Sequence, residues 1–123
     1  MLAWSRANDD RVEGLYSPSR SAPVRERAAA VTADLVERYD PDGIHLDYIR
    51  YPGTDFDYSA GTLAAFRSWA APLLDVDRCR RLDRAAERDP LARADSLPEL
   101  WGGFRREQVT SLLQPIHLAV KIR

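Results

Sequence analysis

Four residues within one seven-residue stretch carry most of the chemistry this chain offers: His45, Asp47, Arg50 and Tyr51. Together they supply an imidazole, a carboxylate, a guanidinium and a phenol. Sugars suit that mixture. Carboxylates bond hydroxyls or attack an anomeric carbon, and aromatic faces stack on the apolar faces of pyranose rings. The spacing matters if Gly43 to Ile49 is a strand, as its short apolar, β-branched run implies. Period two then puts His45, Asp47 and Ile49 on one face, and Ile44, Leu46 and Tyr48 on the other. In parallel α/β proteins ligands sit at the C-terminal ends of strands, so Asp47 would stand at a strand mouth with Arg50 and Tyr51 in the loop beyond it.

The elements around this stretch read as follows. Val24, Ala28, Val31, Leu35 and Tyr39 recur at helical spacing and predict a helix with one apolar stripe. Ser21 is placed as its N-cap, and Pro23 is tolerated in the first turn. Asp40-Pro41-Asp42-Gly43 stops it. Val12 to Tyr16 reads as the tail of an earlier strand. After the loop at Arg50 to Tyr58, Ser59 caps a second helix carrying Leu63, Phe66 and Ala70, which Pro72 ends or kinks. Residues 75–95 read as a solvated insertion with one short helix near 78–88. Ser96 and Glu99 are spaced as a capping box. A long helix is expected from there to about Val120, with Trp101, Phe104, Leu112, Leu113, Ile116 and Val120 inward and a kink at Pro115.

The stretch from Tyr39-Asp40 through Asp42-Gly43-Ile44-His45-Leu46-Asp47-Tyr48-Ile49-Arg50-Tyr51-Pro52 resembles the glycosyl-hydrolase-like family 10 proteins, bacterial glycosidases with a TIM-barrel catalytic domain. Pro23-Val24-Arg25, Phe56-Asp57-Tyr58-Ser59, Trp101, Phe104-Arg105-Arg106 and Gln108-Val109 fall in the family's order. The resemblance runs over roughly residues 12 to 122. It implies an α/β fold: a fragment of a (β/α)8 barrel holding the end of strand three, helix three, strand four and helix four, helix-rich as it stands. It also implies one incomplete domain over residues 1–123, with the remainder of the barrel missing. Asp47 is the catalytic residue it implies, with His45, Arg50 and Tyr51 as substrate-binding residues on a bacterial polysaccharide. The setting it implies is extracytoplasmic, although no signal peptide is visible in this chain. Family 18 chitinases carry a related strand, but their acidic residue would fall at Ile49, so that assignment is rejected.

Glycoside hydrolysis needs two carboxyl groups, and the motif shows one. The second is expected from outside these residues, so the 123 residues alone are expected to lack glycosidase activity. An inactive carbohydrate-binding barrel and a non-functional fragment are the alternatives. A small complete α-rich domain is disfavoured, because the strand at 43–49 would then have no adequate partner sheet.

Blander readings stand beside these. Asp47 could pair with Arg50 to set the loop, and His45 could be a buried, hydrogen-bonded histidine. Tyr48 is expected in the core, Trp101 and Phe104 also, and His117 is structural. Asp57-Tyr58-Ser59 could be no more than a helix cap. No cofactor and no metal site are expected, since the alternating Asp55 and Asp57 supply too few oxygens for calcium.

Composition sets the outer limits. The chain is 45% hydrophobic and 30% charged, which suits a folded protein. Eighteen basic against 19 acidic residues give a net charge of -1, so nothing favours nucleic acid. No apolar run reaches the roughly 20 residues that span a bilayer. The single cysteine, Cys79, excludes an internal disulfide.

Overall fold

The computed structural model describes residues 21–121. The expected strand tail at Val12 to Tyr16 lies outside them. Five α-helices make up the regular structure: α1 (Ala22–Tyr39), α2 (Ala60–Ala70), α3 (Val76–Arg88), α4 (Ala92–Ser96) and α5 (Pro98–Lys121). A 3₁₀ turn, Ala71–Leu73, extends α2 through Pro72. No strand occurs among the described residues. The expectation of a barrel fragment with a strand at 43–49 is therefore overturned, and the described residues form the α-rich arrangement that the sequence pattern disfavours. The physical reason is partnership. A strand stabilises its backbone only through a neighbour's N–H and C=O groups, and every other described element here is a helix that satisfies its own.

The long helix α5 is the spine. α1 lies along it, and α2 and α4 pack on it, with α3 against α4. The core gathers where α2, α4 and the start of α5 meet: Tyr58, Phe66, Ala70, Leu82, Ala94, Leu97, Trp101 and Phe104. Phe66 is its centre. It is fully buried, with ring centroids of Trp101 at 5.0 Å, Phe104 at 5.4 Å and Trp69 at 6.2 Å. Rings at these separations add a specific geometry to the burial of roughly 1.5–3 kcal/mol per large side chain. The expectation that Trp101 and Phe104 are core residues is met.

Local signals explain most helix ends. Ser59 caps α2, its hydroxyl accepting from the Thr62 N–H. Asp75 caps α3, its carboxylate accepting from the Arg78 N–H at 2.7 Å. Ser21 precedes α1 but makes no side-chain cap bond. The expected capping box at Ser96 does not form, because Ser96 is the last residue of α4 and Leu97 supplies the carbonyl that accepts from Trp101 N–H. α5 continues through Pro115.

Residues 75–95 are more than a solvated insertion. Leu82 and Ala94 enter the core, and Arg93 is buried against Asp83. Asp83 also takes two bonds from Arg67, from Nε and from Nη2, each at 2.8 Å. The Arg67 hydrogen bonds, and to a lesser degree the charge of Arg93, hold the Asp83 carboxyl down at about 2. The same carboxylate raises Arg67.

α1 departs from its expected stripe. Thr32 and Val36 are the buried residues, while Val31, Leu35 and Tyr39 remain exposed. A sheet would have covered a face about 100° wide; α5 alone covers a narrower one. No helix of the described residues is long and apolar enough to cross a membrane.

Candidate functional site

The stretch between α1 and α2 carries the residues singled out by their chemistry. α1 ends at Asp40, whose backbone is left-handed (φ 44°) and whose N–H closes on the Val36 carbonyl at 3.2 Å. Residues 41–50 then run without regular structure. No hydrogen bond among the described residues engages the backbone of residues 43–47. At Tyr48 the backbone turns left-handed again (φ 58°), a conformation uncommon for a bulky side chain. Two bonds hold it there. Asp47 Oδ1 accepts from the Tyr48 N–H at 2.8 Å, and the Tyr48 carbonyl accepts from the Arg50 N–H at 3.0 Å.

The left-handed turn at Tyr48 breaks the alternation of faces that a strand would impose. His45, Asp47 and Arg50 are exposed. So is Tyr48, at 61%, which overturns its placement in the core. His45 is likewise at the surface and not the buried histidine expected of a strand interior. Asp47 forms no ion pair with Arg50 among the described residues; Arg50 instead lays its guanidinium over the Tyr48 ring, 4.3 Å from the centroid. Tyr51 is half-buried, its ring beneath the Arg105 guanidinium at the same separation.

Asp47, Tyr48 and Arg50 thus form one local cluster at the surface, and Tyr51 is held separately against α5. Arg105 is the residue that sequence reasoning missed. Besides covering Tyr51, its Nη2 donates to the Gly53 carbonyl at 2.8 Å. Its Nε is buried with no partner among the described residues. No sequence signal links positions 52 residues apart on a loop and a helix.

Beyond Gly53 the loop dives inward. Phe56, Asp57 and Tyr58 are all buried. Asp57 Oδ2 accepts from Thr62 Oγ1 at 2.6 Å and from Ser59 Oγ at 3.1 Å, and Oδ1 accepts from the Ser59 N–H at 3.0 Å. The helix-cap reading of Asp57-Tyr58-Ser59 holds for Ser59, whose hydroxyl accepts from the Thr62 N–H, while the Asp57 bonds fix the Ser59 and Thr62 side chains in that position. They make Asp57 an anchor, not a free carboxylate.

Two hollows border the region. A groove of about 660 Å³ lies between α1, residues 46–49 and α5, walled by Val24, Val31, Leu46, Ile49, Leu112 and Ile116 among others. A second, about 520 Å³, lies between Tyr58, Leu63 and Leu91. Both are apolar. His117 is exposed on α5. Among the described residues no three His, Cys, Asp or Glu side chains are grouped to hold a metal ion. The chain matches no protein-family model, no curated protein and no solved structure.

Proposed function

We propose that this chain contributes a glycan-contacting segment, residues 45–51, to a bacterial glycoside hydrolase-like protein that cleaves O-glycosidic bonds of a polysaccharide. Asp47 is its catalytic carboxylate, with His45, Arg50 and Tyr51 as substrate contacts. The observation that carries the reading is the surface cluster itself: an exposed carboxylate and an exposed guanidinium three residues apart, with the Tyr48 ring beneath the guanidinium. The sequence resemblance over Tyr39 to Pro52 supports it. Arg50 has five N–H donors and no acceptor, so two of them can each meet the oxygen of a neighbouring sugar hydroxyl. The Tyr48 ring, now covered by Arg50, becomes a stacking face once that side chain swings to a sugar.

Cleavage needs a second carboxyl group about 5–5.5 Å from the first for retention, or about 6.5–9.5 Å for inversion. In this proposal that group comes from outside the described residues. A second reading, glycan binding without cleavage, is favoured by one specific feature: Asp47 Oδ1 is already committed to the Tyr48 N–H, as a carboxylate that sets a turn would be.

The test is a titration of the chain with soluble oligosaccharides from bacterial cell-wall glycan, followed by NMR. Shifts confined to residues 45–51, and lost in Arg50→Ala and Tyr51→Ala, are expected. Unmoved resonances at millimolar sugar would sink both readings. Because the second carboxyl group comes from outside these residues, cleavage is read in the full-length protein: new reducing ends there, lost with Asp47→Asn, would select cleavage over binding.

A further inference from the structure

The segment Ile44-His45-Leu46-Asp47-Tyr48 has the composition of a strand but no strand beside it. Its backbone donors and acceptors at 43–47 are unengaged by described residues. Leu46 and Ile49 are exposed at the rim of the apolar groove, and Val31 and Leu35 of α1 are exposed alongside. Unpaired backbone next to uncovered apolar side chains is a template for pairing with another chain. We propose that the partner is a second copy of this chain, joined through antiparallel pairing of residues 44–48 about a two-fold axis at Leu46.

The sequence is complementary to itself in that register and in no neighbouring one. Centring the pair on Leu46 sets Ile44 opposite Tyr48 of the second copy, His45 opposite Asp47, and Leu46 opposite Leu46. The axis repeats the first two pairs. Imidazole meets carboxylate twice, and a β-branched side chain meets an aromatic ring twice, the kinds of cross-strand pair that stabilise sheets. Moving the centre to Asp47 sets carboxylate against carboxylate. Moving it to His45 sets the two imidazoles together. Centring between residues opposes the apolar face of one copy to the polar face of the other. A closed two-fold pair of this kind uses the same patch on both copies and leaves no free end to propagate.

Pairing exchanges one set of bonds for another. The Asp47 carboxylate leaves the Tyr48 N–H, Tyr48 returns to extended backbone, and the freed carboxylate meets His45 of the second copy. Arg50 and Tyr51 lie outside the matched stretch. The inference stands apart from the glycan reading, since it concerns self-association in the absence of sugar.

Sedimentation velocity on the full 123-residue chain across a range of concentrations tests it. A reversible monomer–dimer equilibrium is expected. With the central Leu46 pair as a hydrogen-bonded one, each Leu46 N–H reaches the Leu46 carbonyl of the second copy. Leu46→Pro removes both of those bonds and no bond described in the monomer, so it should abolish the dimer with the helical circular dichroism unchanged. His45→Asp alone and Asp47→His alone should each weaken the dimer about ten-fold, two like pairs replacing two favourable ones. The double exchange, His45→Asp with Asp47→His, should restore it to within about three-fold of the native chain. A chain that stays monomeric overturns the proposal. So does a dimer that survives Leu46→Pro, or one whose single and double exchanges weaken it alike.

Discussion

The Trp101 indole Nε1 donates to the Tyr58 hydroxyl at 3.1 Å, with the two ring centroids 5.0 Å apart. The pair spans 43 positions of sequence and ties the loop that leaves the candidate site to the helix that organises the fold. Both residues are buried. Replacing Tyr58 with Phe keeps the ring packing and leaves the indole N–H without its acceptor. The expected cost is about 1–3 kcal/mol, the desolvation penalty of an orphaned buried donor. Urea unfolding followed by tryptophan fluorescence checks it. Equal stability of the two proteins would mean that the hydroxyl contributes nothing.

Phe66 should be the most sensitive position in the core. It is fully buried and touches three other aromatic rings. Phe66→Ala removes its transfer free energy and opens a cavity, together about 3–5 kcal/mol. Against a total stability of about 5–15 kcal/mol that is a large fraction. Phe66→Leu refills most of the space and should cost much less. Thermal unfolding of the two variants orders them.

Asp83 makes stability depend on acid. Its carboxyl is held at about 2 in the fold by the Arg67 hydrogen bonds and the Arg93 charge, against about 3.9 in an unfolded chain. A group whose folded value is depressed contributes fully above the unfolded value and loses that contribution as pH falls toward the folded one. The contribution is therefore present at pH 5 and above, and disappears between about pH 4 and pH 2. Asp83→Asn should be less stable than the native chain by about 1 kcal/mol at neutral pH: buried Arg93 loses a charged acceptor, but the carboxylate is itself about a third exposed and solvent screens its attraction. The difference should shrink as the pH is lowered through that window. A gap that is constant from pH 7 to pH 2 would remove the carboxylate from the account.

The particular residues show how far sequence reasoning reached. Four helical segments were legible because each carries its own signal: the 3.6 period with Pro23 ahead of α1, the Ser59 cap of α2, the region near 78–88 that became α3, and the Trp101 and Phe104 spacing of α5. Each signal is local, and so is the bonding of a helix. The strand at 43–49 failed for the converse reason. Its pattern is that of a buried strand, but a strand is a relationship between two segments, and none of the described residues supplies the other. The same absence left Val31, Leu35 and Tyr39 uncovered. The candidate site was legible as a set of residue types at 45–51. Its geometry was not, because it is set by a left-handed Tyr48 and by Arg105 reaching across from α5.

Arg105 is accordingly the place where the loop can be loosened without touching its surface cluster. The guanidinium lies over the Tyr51 ring and bonds the Gly53 carbonyl, so one side chain fixes two points of the turn. Lysine can replace neither the planar stacking nor the fixed fork, although it keeps the charge. Arg105→Lys should cost about 1–2 kcal/mol, a half-buried cation–π contact and one charged hydrogen bond being exchanged for a looser substitute. The Tyr51 ring resonances should move toward those of a solvated tyrosine, while the Asp47 and Tyr48 amides keep their positions, because their bonds to each other do not involve α5. Two-dimensional NMR of the native chain and the variant reads both quantities at once. If the Tyr48 amide shifts as far as the Tyr51 ring does, the two halves of the segment are one coupled unit, and the separation drawn between the surface cluster and the anchored tyrosine fails.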